Sequence, residues 1–244
     1  MLEILYQDEQ LVAINKPAGL LVHRSMLDRH ATEFAMQMLR DQLGRHVYPV
    51  HRLDRPTSGV LLFALNPEMA RSMTELFSER SVKKRYLALV RGYLPDQGLI
   101  DYPLKPRLDK LADADVSQDK EAQEAQTEYR CLGKVELPYA VISRYPTSRY
   151  SLALLSPLTG RKHQLRRHME HLYHPMIGDT THGEGRHNRF FREHFGVSRL
   201  LLHSLSLEFI HPESNEPVCI EASLDEAMGG LLQTLGWSQE LWQS

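Results

Sequence analysis

The stretch His51-Arg52-Leu53-Asp54-Arg55-Pro56-Thr57-Ser58-Gly59 leads straight into Val60-Leu61-Leu62-Phe63-Ala64, and this junction constrains the chain more than any other. Pro56 and Gly59 enforce a turn, and the apolar run behind them is short enough to be a buried strand. Two arginines flank one carboxylate, and both favour its charged form. An ionised Asp held on a turn, with a rigid strand behind it, suits a nucleophile or a base that works without a metal. The same residues also fit a surface Arg-Asp-Arg cluster capping a turn, because exposed ion pairs are common and contribute little.

The length of 244 residues allows a substantial core. No run approaches the ~20 apolar residues of a membrane span, and Met1-Leu2-Glu3-Ile4-Leu5 lacks the basic-then-apolar order of a signal peptide. Cys131 and Cys219 stand far apart, without disulfide or metal-site spacing, so a cytoplasmic protein with reduced thiols is expected. A net charge of -2 conceals segregation. From Arg144 to Arg199 there are ten Lys and Arg against four Asp and Glu, with seven histidines. Leu108 to Glu128 carries seven acids and two bases, and the chain after His203 carries seven acids and no Lys or Arg. For a polyanionic partner the local field matters more than the sum.

Leu2–Tyr6 and Leu11–Ile14 read as a hairpin, followed by the turn Asn15-Lys16-Pro17-Ala18-Gly19. Residues 31–43 show helical spacing up to Gly44, and Asn66-Pro67-Glu68 reads as a capped helix start. Residues 107–128 are charged and poor in aromatics, which suggests an excursion or mobile helix rather than a domain boundary. Tyr129–Ile142 and Tyr150–Leu155 read as strands, and Arg144–Tyr150 interleaves arginines with tyrosines in a way that suits RNA contact. A helix is expected from Leu165 to before His174, a substrate-facing loop over Arg186–Arg192, and a last helix between Asp225 and Trp242.

His-Arg-Leu-Asp-x-x-Thr-Ser-Gly resembles the catalytic motif of the RluA-type family of RNA pseudouridine synthases, with Asp54 at the catalytic position. Lys84-Arg85-Tyr86 before a strand is similar to the second signature, whose Tyr stacks on the target base; stacking of this kind contributes about 1–3 kcal/mol. Thr159-Gly160-Arg161-Lys162-His163-Gln164-Leu165-Arg166 resembles the third, whose last Arg pairs with the catalytic Asp. Asn15-Lys16-Pro17-Ala18-Gly19 and Pro175-Met176-Ile177-Gly178-Asp179 are also similar to family strings, whereas Thr181-His182-Gly183 departs from the aromatic that relatives often place before that Gly.

The resemblance runs from about Asp8 to Ile220 and implies an α+β fold: a long, bent, mainly antiparallel mixed sheet with flanking helices and a central RNA-binding cleft. One catalytic domain over 1–244 is expected, without a separate N-terminal RNA-binding domain. The implied reaction turns uridine into pseudouridine and needs no cofactor or metal; Asp54, Tyr86 and Arg166 are its implied catalytic residues. Arg52 is implied in filling the space of the flipped base. Arg55, Arg144, Arg149, Arg161, Lys162, His163 and Arg167 are further RNA-contact candidates. Arg-Tyr-Pro-Thr-x-Arg-Tyr, Lys162, Arg167 and Glu193-His194-Phe195-Gly196 are similar to the tRNA-modifying subgroup that acts at uridine 65, so tRNA is the expected partner, with no membrane and no obligate protein partner.

Three other readings fit parts of the chain. A nucleosidase would generally need a second carboxylate near Asp54, where the strings supply arginines. A silent RNA-binding module would use the basic region and leave Asp54 without a purpose. A metal hydrolase would need His163, His168, His171 and His174 as ligands, but their spacings lack the i, i+4 pair with a nearby Glu. Helix-end capping and phosphate contact are the better uses for these histidines.

Overall fold

The protein is described by a computed structural model over residues 1–23, 32–106 and 121–242. The apolar run forms the last five residues of β4 (Ser58–Ala64), which is buried at all seven positions. A strand of this kind has to be covered on both faces. One edge of β4 pairs with β2 (Leu11–Lys16), which pairs with β1 (Glu3–Gln7), so the expected N-terminal hairpin forms. The other edge meets β9 (Leu202–Ile210) in parallel, Ser58 opposite His203 and Gly59 opposite Ser204. From β9 the sheet continues antiparallel through β5 (Lys83–Arg91), β8 (Ser148–Pro157), β7 (Gln126–Leu137) and β6 (Gln97–Asp101). The two-residue β3 (Tyr48–Pro49) pairs with β4, and β10 (Pro217–Glu221) pairs with β9. This is the α+β, mainly antiparallel sheet that the resemblance implied.

Period-2 alternation divides the core between the two faces. Leu61 and Phe63 of β4 join Tyr86, Ala88 and Val90 of β5, covered by α1 (Ala35–Leu43) and α3 (Gln164–His171). The intervening residues face the other way. Val60, Leu62 and Ala64 pack on Met69 and Met73 of α2 (Pro67–Ser78). Leu87 and Leu89 meet Phe191 of α4 (Gly185–Phe195) and Met228, Leu231 and Leu232 of α5 (Glu226–Thr234). Asn66 caps α2 as expected, its side chain accepting the Met69 N–H at 2.8 Å.

Several local expectations change. Arg186–Arg192 is helical, not a loop: Glu184 accepts the His187 N–H at 3.0 Å, Gly196 ends α4, and His187 and Phe191 form a buried i, i+4 stripe. That two-residue stripe is masked in sequence by the arginines around it. The strand β7 begins at Gln126, inside the acidic stretch; residues 107–120 of that stretch, and residue 31 of the first expected helix, lie outside the described residues. The final expected helix stops at Thr234, and a short 3-10 turn follows at Gln239–Leu241.

Candidate active site

The junction that opens the sequence reading is held at nearly every residue. His51 Nε2 accepts the Leu62 N–H at 3.0 Å and its ring stacks on Phe77. Burial, with Lys84 nearby, pushes the pKa of His51 down to about 3, which suits a neutral acceptor. Leu53 points into the core, and the Thr57 N–H bonds the Asp54 carbonyl to close the turn. Ser58 Oγ lies 2.8 Å from His203 Nδ1 and accepts from Arg199 Nη2 at 2.7 Å. Gly59 has φ +106, and a Cβ there would sit 2.1 Å from the Ser204 carbonyl oxygen. Only glycine permits the parallel contact with β9 at that point.

Lys16, at the end of β2, ties a second loop to this one. Its fully buried ammonium donates to the carbonyls of Pro17, Leu20 and Arg55, at 2.9, 2.9 and 3.1 Å. Burial, then the charge of Arg199, pushes its pKa down to about 7, while Asp54 pulls it up. The Asn-Lys-Pro string is therefore more than a turn: its lysine anchors the loop that carries Asp54.

Asp54 is left partly open to solvent, and its Oδ2 accepts from Arg166 Nη1 at 3.0 Å, the pairing the third motif implied. Arg166 is itself held from behind by a residue outside the three catalytic strings. Asp179 accepts from Arg166 Nε at 2.7 Å and from Nη2 at 2.8 Å, a bidentate pair in which both side chains are buried. Its Oδ1 also accepts the N–H groups of Thr181 and His182, each at 2.9 Å. Burial alone would push the Asp179 carboxyl up, but these bonds more than offset it and hold the group below its ordinary value. Gly178 makes this placement possible: with φ +80, a Cβ would lie 1.9 Å from the Arg199 carbonyl oxygen. Asn188 of α4 brackets the turn, accepting from the Gly178 N–H and donating to the Asp179 carbonyl.

Tyr86 comes in from the sheet. Ser204 of β9 lies between it and Gly59, pairing with each, so the two Cα atoms stand about 10 Å apart across two strand spacings. The pairing register of β5 with β9 shifts between Arg85 and Tyr86. Burial pushes the Tyr86 phenol up to about 12, and the charge of Asp54 adds to the shift.

The third motif folds as a turn and the start of α3. Gln164 spends its whole amide on it: Oε1 accepts from Thr159 Oγ1 and the Arg161 N–H, and Nε2 donates to the Gln126 carbonyl and Thr127 Oγ1. His163, at φ +56, precedes the helix with its Nε2 3.9 Å from Asp54 Oδ2. His168 corrects the sequence reading. It is fully buried between Thr127 Oγ1 and the Tyr102 carbonyl, with no exposed surface to offer a phosphate. His171 stacks on Tyr102, and His174 bonds the Arg91 carbonyl, so the four histidines turn to different partners.

Of the RNA-contact candidates, Arg52 and Arg55 flank Asp54 on the exposed side of the turn, with Arg55 Nε donating to the Gly19 carbonyl. His163 lies beside the carboxylate with Lys162 next to it in the chain, while Arg167 is half-buried one position beyond Arg166. Arg161 is exposed and donates to the Glu124 carbonyl. Arg144 and Arg149 are elsewhere, in and after the β7–β8 connection, over the rings of Tyr145 and Tyr93; Arg149 also faces Glu136. An ion-paired carboxylate beside a buried tyrosine, within a basic rim, suits covalent or base chemistry on an anionic polymer.

The family described as RNA pseudouridylate synthase matches residues 10–171. Proteins called tRNA pseudouridine synthase C are similar over nearly the whole chain. That of Vibrio cholerae is 58% identical over 241 residues, covering 99% of this chain and 98% of the relative. That of Haemophilus influenzae is 59% identical over 237 residues, covering 97% and 99%. Among solved structures, human RNA pseudouridylate synthase domain containing 4 aligns with a TM-score of 0.69 at 27% identity, covering 96% of this chain and 93% of that one. Human RNA pseudouridylate synthase domain containing 1 aligns with a TM-score of 0.67 at 26% identity, covering 98% and 96%. The chain belongs to the RNA pseudouridylate synthase family, and it is a pseudouridine-forming enzyme.

Proposed function

We propose that this chain converts uridine 65 of tRNA to pseudouridine, with Asp54 as the nucleophile or base, Arg166 as its holder and Tyr86 beneath the detached uracil. The observation that carries the reading is Asp54 held at 3.0 Å by an arginine that is itself locked to buried Asp179. A carboxylate fixed in this way keeps its orientation while the base leaves and returns. The tRNA substrate is supported by the names of the relatives, and the position by the subgroup strings around Arg144–Tyr150 and Glu193–Gly196.

In the reaction the C1′–N1 bond breaks, the uracil turns on Tyr86, C5 bonds to C1′, and the C5 proton is lost as N1 gains one. Composition is unchanged, so the product has the mass of the substrate. Extrusion of the uridine costs a few kcal/mol, and Arg52, exposed beside the loop, fills the vacated stack. Pseudouridine mapping in RNA from cells with and without the gene tests the assignment. Loss of pseudouridine at uridine 65 of tRNA alone is expected; loss at a ribosomal position instead would overturn it.

A second expected result follows from charge segregation. Affinity for tRNA is expected to fall steeply with salt despite the net charge of -2, because Arg52, Arg55, Lys162 and their neighbours displace counterions. Six phosphate contacts correspond to a loss of about a thousandfold between about 50 and 200 mM salt. Titration of labelled tRNA over that range checks it; a flat profile would contradict an electrostatic interface.

A further inference from the structure

A chain of three side chains runs from the reacting carboxylate to solvent. His163 Nε2 lies 3.9 Å from Asp54 Oδ2, and its Nδ1 lies 3.1 Å from His182 Nε2. His182 Nδ1 lies 2.8 Å from Oε2 of Glu170, a residue half-exposed on α3, while the His182 backbone is fixed by Asp179.

The chemistry of the end group sets the direction of the chain. A carboxylate only accepts, so His182 carries a proton on Nδ1, and in its neutral form it presents a lone pair at Nε2. His163 must then carry its proton on Nδ1, which leaves its Nε2 as a lone pair facing Asp54. The 3.9 Å separation agrees, since two acceptors form no hydrogen bond. Burial pushes the pKa of His163 down to about 4; Asp54 opposes the shift, while Arg166, His182 and Lys162 add to it. The imidazolium is therefore disfavoured, and a proton taken up at Nε2 is passed on rather than kept.

We propose that His163 accepts the C5 proton of the uracil in the last step of the reaction, with His182 and Glu170 as positioning residues that fix its accepting tautomer and lead the proton to water. The C5–H bond breaks and its electron pair restores the C5=C6 double bond. The proton goes to His163 Nε2 as the Nδ1 proton moves to His182 Nε2, and the His182 Nδ1 proton passes to Glu170 and then to solvent. The inference rests on the pseudouridine-forming reading of Asp54.

The test compares single-turnover rates on tRNA carrying hydrogen or deuterium at uracil C5, with enzyme saturating. His163→Gln is expected to slow product formation by about 100-fold and to raise the hydrogen-to-deuterium rate ratio above that of the wild type. Glu170→Lys, at the exposed end of the chain of side chains, places a donor where an acceptor stood and reverses both tautomers, so the ratio is expected to rise there too. A slowing without a change in ratio in both variants would overturn the proposal, because a purely structural defect slows the two substrates alike. Failure of the underlying reading is distinguishable, since it would show as an active Asp54→Asn enzyme.

Discussion

Arg166→Ala is expected to destabilise the protein by about 3–5 kcal/mol, the cost of leaving a buried carboxylate without its counter-charge. Asp179 is fully buried, and two of its bonds come from this one guanidinium. For a chain of this length the loss corresponds to a fall in Tm of roughly 6–20 °C. Arg166→Lys is expected to recover only part of it, because an ammonium cannot make the bidentate pair and also reach Asp54. Thermal unfolding of both variants checks the order. A loss below about 1 kcal/mol for Arg166→Ala, typical of a surface pair, would show that Asp179 does not depend on it. The pair also carries a pH signature. The Asp179 pKa is lowered by folding, so its stabilisation is present above the ordinary carboxylate range and is lost as pH falls through the folded value. Only below the folded value is this contribution gone from the difference between wild type and variant.

The expected loss shows why the site is more than its motifs. Asp54, Tyr86 and Arg166 stand out in the sequence because each lies in a string whose residue order is strict. Asp179 does not: its partner is 13 residues away across the end of a helix and a turn, and nothing local announces the pairing. Lys16 looked like part of a Pro/Gly turn because one of its acceptors, the Arg55 carbonyl, is 39 residues further along the chain. His168 sits in a basic string that suggests phosphate, yet Thr127 of a distant strand and the Tyr102 carbonyl enclose it. In α4 a helix is hard to read because only His187 and Phe191 are fully buried, too short a stripe to register among three arginines. The fold was easier to read. A continuous apolar strand, a capped helix at Asn66 and alternating strands leave few arrangements open, and the sheet order then follows from pairings that the chain order alone does not state.

The same arrangement explains how rigidity and access coexist at Asp54. The backbone of the loop is fixed by Lys16, His51 and Ser58, each bonded to a different strand or loop, while the Asp54 carboxylate meets Arg166 and stays partly open to solvent. Asn at this position keeps the shape and leaves the Arg166–Asp179 pair intact, but it supplies neither a nucleophile nor a base. The stability of Asp54→Asn is therefore expected to stay within about 1 kcal/mol of wild type.

The measurement that bears most directly on the assignment is the single-turnover rate of pseudouridine formation by Asp54→Asn on tRNA, with folding and tRNA affinity measured alongside. A loss of about ten-thousand-fold or more, with affinity and unfolding temperature nearly unchanged, is the expected result. A rate within about tenfold of wild type, a difference of only about 1.4 kcal/mol in barrier, would show that Asp54 does not carry the chemistry.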